Sequence, residues 1–153
     1  MSPKVSIVIT SYCPESEPYL NLCIKSIKNL SYDNFETILV TRPGYFPLFD
    51  GVKTTYPSKL EFWNSVGLNW GVSQSSKDSE YYFLINDDVI LTKDCLQPLI
   101  AALQEKAIGQ VMPIGNDMQG RYFFPELSTK LTLAVAEQHE NALMNAQNLR
   151  TPG

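Results

Sequence analysis

Asn86-Asp87-Asp88 follows directly on Tyr81-Tyr82-Phe83-Leu84-Ile85, so two adjacent carboxylates close an aromatic and aliphatic run with the character of a central strand. Side by side at the end of a buried strand they repel, and a cation or positive partner between them removes the conflict. Oxygen ligands of this kind suit Mg2+ or Mn2+, which takes one or two protein carboxylates and completes its shell with phosphate oxygens and water. An Asp pair also serves as a turn and N-cap device, because Asp accepts backbone N–H groups at helix starts. What else lies at the same edge of the sheet separates the two readings.

The elements before the pair bear on that question. Val5-Ser6-Ile7-Val8-Ile9-Thr10 is a β-branched run that passes into the polar stretch Ser11-Tyr12-Cys13-Pro14-Glu15, a strand followed by a loop. Ser16 is placed as an N-cap and Pro18 in a first turn. Leu20, Cys23, Ile24, Ile27 and Leu30 then recur at helical spacing, with Lys25 and Lys28 outward. Phe35-Glu36-Thr37-Ile38-Leu39-Val40 reads as a second strand, stopped by Thr41-Arg42-Pro43-Gly44, and the helix between the two strands implies a parallel sheet. In open α/β sheets ligands bind outside the carboxyl ends of the strands. Three such ends are polar here: Thr10-Ser11-Tyr12, Thr41-Arg42 and Asn86-Asp87-Asp88.

The stretch Tyr45 to Leu60 reads as a long loop rich in Pro, Gly and aromatics, of a length that is often functional. Leu60 to Ser75 reads as a helix with Trp63, Val66, Gly67, Trp70 and Val72 as its apolar members. The tryptophans belong to a core on this pattern, while Tyr45, Phe46 and Phe49 fit either a core or a stacking surface. After the Asp pair the apolar run resumes as Val89-Ile90-Leu91. A helix starting at Thr92 to Asp94 and ending at Gly109 comes next, then a strand from Gln110 to Ile114, a turn over Gly115 to Gly120, a strand over Arg121 to Phe124 and a last helix from Ser128 to Leu149. The class is α/β, a mostly parallel sheet flanked by helices.

With 153 residues, 44% hydrophobic and 18% charged, one domain with an apolar core is expected. A net charge of −4 and 12 scattered basic residues argue against a nucleic-acid footprint. Cys13, Cys23 and Cys95 show neither paired-ligand spacing nor an even count, so a disulfide framework or zinc site is not expected and a reducing compartment is. The first apolar segment is far shorter than the ~20 residues of a membrane span and carries no signal-peptide pattern. A cytoplasmic protein without a transmembrane segment is the expectation.

Across roughly residues 4 to 117 the chain resembles family-2 glycosyltransferases of the GT-A (Rossmann-like) fold. The residues that carry this are Val-Ser-Ile-Val-Ile-Thr-Ser-Tyr from Val5, the helical Cys23-Ile24-Lys25-Ser26-Ile27, and the strand ending in an acidic pair. The resemblance implies that residues 1–117 bind a nucleotide-sugar donor, with a UDP-sugar favoured. Thr10, Ser11 and Tyr12 match the segment that contacts the donor base, and Asn69, in Gly67-Leu68-Asn69-Trp70-Gly71, matches a donor-cleft asparagine. Asn86-Asp87-Asp88 takes the place of the DxD-like motif. By that resemblance Asp88 binds Mn2+ or Mg2+ bridging the donor diphosphate, and Asp87 contacts the ribose or shares the metal. Thr41 stands where many members carry an Asp that holds base or ribose, and Arg42 is placed to reach a phosphate instead.

Inverting transfer to a hydroxyl needs a carboxylate base. The family usually supplies it from an acceptor half, which here is expected to be missing or reduced to residues 118–153 of the same domain. Glu126, Glu137 and Glu140 are the carboxylates late enough to serve. Glu137 and Glu140, one helical turn apart, are the candidates for the base, and His139 lies between them. The acceptor is expected to be a glycan, lipid or protein, and a homo-oligomer or a missing acceptor domain is expected as well. Two other functions compete. A non-catalytic nucleotide-sugar-binding module would bind without turnover. A nucleotidyltransferase would also use acidic metal ligands, but Ser11-Tyr12-Cys13-Pro14-Glu15 lacks the Gly and Lys/Arg of its usual phosphate loop.

Overall fold

The computed structural model describes residues 2–58, 64–105 and 108–111, with the backbone alone at residue 64. One compact unit takes Met1–Lys25 and Tyr32–Val89, and a second takes Ser26–Ser31 with the chain from Ile90. The elements, in chain order, are β1 (Val5–Ser11), α1 (Glu17–Lys28), β2 (Phe35–Thr41), β3 (Val52–Thr55), α2 (Asn64–Ser73), β4 (Tyr81–Asn86) and α3 (Leu96–Leu103). A short 3-10 turn, Pro14–Ser16, leads into α1.

All four strands lie in one sheet of order β3-β2-β1-β4, and every pairing is parallel. The chain steps one way from β1 to β2 and the opposite way from β3 to β4. Right-handed crossovers then carry α1 and α2 to opposite faces. β1 is buried along its whole length, as a strand covered on both faces must be. Even-numbered Val8, Ile38 and Val40 meet Leu68, Trp70 and Val72 of α2. Odd-numbered Ile7, Ile9 and Leu39 point the other way. On α1, Leu20, Cys23 and Ile24 are buried. Gly71 brings α2 down onto the sheet, since a Cβ there would sit 2.2 Å from Val8 Cγ1 and 2.9 Å from Val40 Cγ2.

The structure has the mostly parallel, helix-flanked α/β sheet that the sequence pattern implies. Around the sheet it differs in three places. The expected long loop contains β3, whose four residues pair with Thr37–Val40 of β2. β4, read as a central strand, has β1 as its one partner among the described residues and exposes Tyr82 and Leu84. Val89-Ile90-Leu91 forms no strand.

In the second unit the Leu91 N–H is taken by Ser26 Oγ at 3.0 Å. There too α3 starts later than Thr92 to Asp94, a stretch tied to Ser31 by Lys93 O accepting from Ser31 N and Asp94 Oδ1 from Ser31 Oγ. α3 buries Leu96 and Ile100 and ends at Leu103, short of Gly109. Residues 110–111 are irregular, and the remaining expectations beyond them lie outside the described residues, as does Trp63.

Candidate functional site

The register decides which polar groups share an edge. Thr10 pairs with Asn86, and Ser11 with Thr41, so the polar ends of β1, β2 and β4 finish at one level. β1 and β4 are the neighbours between which the strand order reverses, and at such a point the departing chains leave a crevice at the carboxyl ends. Thr10, Ser11 and Tyr12 come from one side of it and Asn86, Asp87 and Asp88 from the other. Thr10 Oγ1 donates to Asn86 Oδ1 at 3.5 Å, a long contact that ties the two strand ends together.

Ser16 links the groups across the crevice. The 3-10 turn brings its Oγ to 2.6 Å from Asp87 Oδ2, 2.8 Å from Cys13 O and 3.1 Å from Ser11 Oγ. One hydroxyl has one proton, and the shortest contact, to a carboxylate, holds it. Ser11 then donates to Ser16. Asp87 is half-buried, while Asn86 and Asp88 are exposed. No partner for Asp88 occurs among the described residues.

The charge at Asp87 is felt by three neighbours. Burial, then Asp87, raises the Tyr12 hydroxyl above its usual value. Burial, then Asp87 and Asp88, pushes the Cys23 thiol up to about 12, so this cysteine under the pair is a neutral packing group and no nucleophile. Its Sγ rests 3.9 Å from Asn86 O. Tyr45 is raised by burial first, then by Glu17, with Asp87 and Cys13 adding and the nearby Ser11 hydroxyl opposing.

Tyr45 reaches this place through its turn. Its N–H donates to Arg42 O at 3.2 Å, with Pro43 second and Gly44 third at φ 86°, the pattern of a type II turn. The phenol is folded in, 7% exposed, and its hydroxyl is buried beside Ser11 yet outside hydrogen-bonding geometry, with no partner among the described residues. Leaving such a donor unmet costs about 1–3 kcal/mol. Phe46, by contrast, is exposed and meets Tyr56 edge-on at 5.8 Å.

Thr41 is fully buried, and its Oγ1 points to Thr55 O of β3 at 3.5 Å. Arg42 is exposed. Its charge is felt at Glu15, whose carboxyl is held below the ordinary range first by its own backbone N–H and by Cys13, with burial opposing. Asn69 is exposed on α2. Glu126, Glu137, Glu140 and His139 lie outside the described residues. Ser16 and Tyr45 are the site residues that the sequence reading did not place. The signal for Ser16 was present but pointed to a helix cap. For Tyr45 it was the Pro-Gly pair before it.

Among the described residues no group of three or more His, Cys, Asp or Glu gathers to hold a metal ion. Asp87 and Asp88 offer two carboxylates, the number a Mg2+ or Mn2+ ion needs when a diphosphate supplies other oxygens. No described helix is long and apolar enough to cross a membrane.

No protein-family model and no curated protein matches the chain. Solved structures do. A crystal structure of S. aureus TarS 1-349 matches with TM-score 0.53 and 15% identity over 76% of this chain and 40% of that one. The same protein in complex with UDP matches with TM-score 0.53 and 16% identity, over the same shares. The likeness is one of fold, a parallel sheet flanked by helices. This chain spans less than half the length of either solved chain.

Proposed function

We propose that this chain binds a nucleotide-sugar donor, a UDP-sugar, in the crevice between β1 and β4 and takes part in metal-dependent sugar transfer to a hydroxyl acceptor. The observation that carries this is the register, which sets Thr10 of β1 against Asn86 and the next residue, Ser11, against Thr41 of β2, with Asp87 and Asp88 following Asn86. The UDP complex of TarS, a chain of similar fold, supports the choice of nucleotide.

In this reading Thr10, Ser11 and Tyr12 hold the nucleoside, with Asn69, Thr41 and Arg42 at the margins of its site. Arg42, exposed at the end of β2, reaches toward phosphate. Asp88 and the second oxygen of Asp87 would hold Mg2+ or Mn2+ beside the donor diphosphate. An ion held there would supply positive charge against the charge developing on the leaving nucleoside diphosphate. Asp87 is kept in one orientation by Ser16, so the pair meets its ligand pre-formed. Glu137 and Glu140 stay the candidates for the base that takes the acceptor proton.

Calorimetric titration with UDP and UDP-sugars, with and without Mn2+, tests the reading. Manganese-dependent UDP binding is the expected result. A folded protein that binds no nucleotide under either condition would sink it. Release of UDP from the bound sugar nucleotide, by transfer or slow hydrolysis, distinguishes an enzyme from a module that only binds.

A further inference from the structure

The hydroxyls beside Asp87 have a defined proton order. A carboxylate at neutral pH only accepts, so Ser16, at 2.6 Å, donates to it. Ser16 has spent its proton, and Ser11 at 3.1 Å must donate to Ser16. Ser11 is then left with lone pairs and no donor. The group buried beside it is the Tyr45 phenol, a neutral donor with no partner of its own among the described residues. A donor without an acceptor thus lies beside an acceptor without a donor, and the turn at Pro43-Gly44 sets where the phenol enters.

We propose that Tyr45 is a positioning residue for Asp87, the first donor of a hydroxyl relay that runs Tyr45 to Ser11 to Ser16 to Asp87. A small closing movement of the turn in the free protein brings the phenol onto Ser11 Oγ. Each hydroxyl then donates once and accepts from the one before, the arrangement in which chained hydrogen bonds polarise one another. Asp87 is held by three linked groups from three segments of the chain rather than by Ser16 alone. The relay rests on the donor-site reading for its purpose, but its existence does not.

The test therefore has a ligand-free arm and a binding arm. In the free protein at neutral pH, the side-chain carboxyl carbon-13 resonance of Asp87 is compared in wild type, Tyr45→Phe, Ser11→Ala and Tyr56→Phe. The relay predicts displacement in the first two variants and none in Tyr56→Phe, whose ring lies exposed beside Phe46. In the binding arm, Tyr45→Phe weakens manganese-dependent UDP binding roughly tenfold, the size of one hydrogen bond. The double variant Tyr45→Phe with Ser11→Ala is no weaker than Ser11→Ala alone, because both break the same chain.

A phenol that is merely orphaned gives the opposite. Tyr45→Phe would be at least as stable as wild type, with the Asp87 resonance and UDP affinity unmoved, and that overturns the proposal. Losses that multiply in the double variant overturn it as well. Displacement of the resonance in a protein that binds no nucleotide upholds the relay and removes the donor-site reading instead.

Discussion

The two ends of the sheet both carry carboxylates, and they treat them in opposite ways. At the amino-terminal end, Glu36 of β2 receives Ser6 Oγ at 2.6 Å, Ser76 N at 2.7 Å, Ser76 Oγ at 3.0 Å and Ser79 Oγ at 3.2 Å. Burial alone would raise its carboxyl, but those donors outweigh burial and hold it below the ordinary range. At the carboxyl-terminal end, Asp87 has one serine and Asp88 has no partner among the described residues. A carboxylate with four donors is finished and fastens the fold. One with spare oxygens at a crevice is available to a ligand.

The largest expected effect strikes both ends together. Gly71→Ala drives a methyl into Val8 and Val40, two stiff, buried side chains in the middle of the sheet. Overpacking of this kind costs about 1–3 kcal/mol. The denaturation midpoint should fall, and UDP binding should weaken with it. A smaller effect confined to one end comes from Glu36→Ala. It removes charged hydrogen bonds worth about 2 kcal/mol together and leaves the crevice intact.

The pH dependence sharpens the contrast. A carboxyl whose folded pKa is depressed contributes stability above its unfolded value, about 4.3, and loses it as pH falls through the lower folded value. The stability gap between wild type and Glu36→Gln should therefore be full at neutral pH. It should narrow below about pH 4 in urea melts run at several pH values. A gap that persists unchanged into strong acid contradicts the assignment of Glu36 as an ionised anchor.

The smallest effect is at Lys4–Asp78, an ion pair of 3.0 Å on the exterior of the same amino-terminal end. Lys4→Ala should change stability by less than about 0.5 kcal/mol, because exposed pairs are screened and cost side-chain entropy. A larger loss by thermal melting would mean that the amino-terminal end is fastened by charge pairing and not by the serine donors on Glu36.

Much of this was legible in the sequence, for local reasons. The β-branched run before Thr10, the helical spacing through Leu20 and Ile24, and the abrupt break at Asn86 each state their element within a few residues. β3 was not legible, because Val52-Lys53-Thr54-Thr55 is short, shows no alternation and sits amid aromatics. Ser16 was legible as a helix-start residue, yet its bond to Asp87 spans 71 positions, which no local pattern reports. The burial of Tyr45 and the exposure of Phe46, its neighbour, depend on which way a turn folds over the sheet. That is tertiary information, and the two residue types look alike before it exists.

The central claim, that Asp88 serves a ligand while Glu36 serves the fold, is tested most directly by titrating UDP with Mn2+ into Asp88→Ala and Glu36→Gln side by side, with a melting curve for each. The account predicts a fall of at least about thirtyfold in affinity for Asp88→Ala with an unchanged melting temperature, the reach of a lost metal ligand. For Glu36→Gln it predicts a lowered melting temperature and intact affinity below it. Asp88→Ala binding UDP as wild type does, or losing stability as Glu36→Gln does, would contradict it.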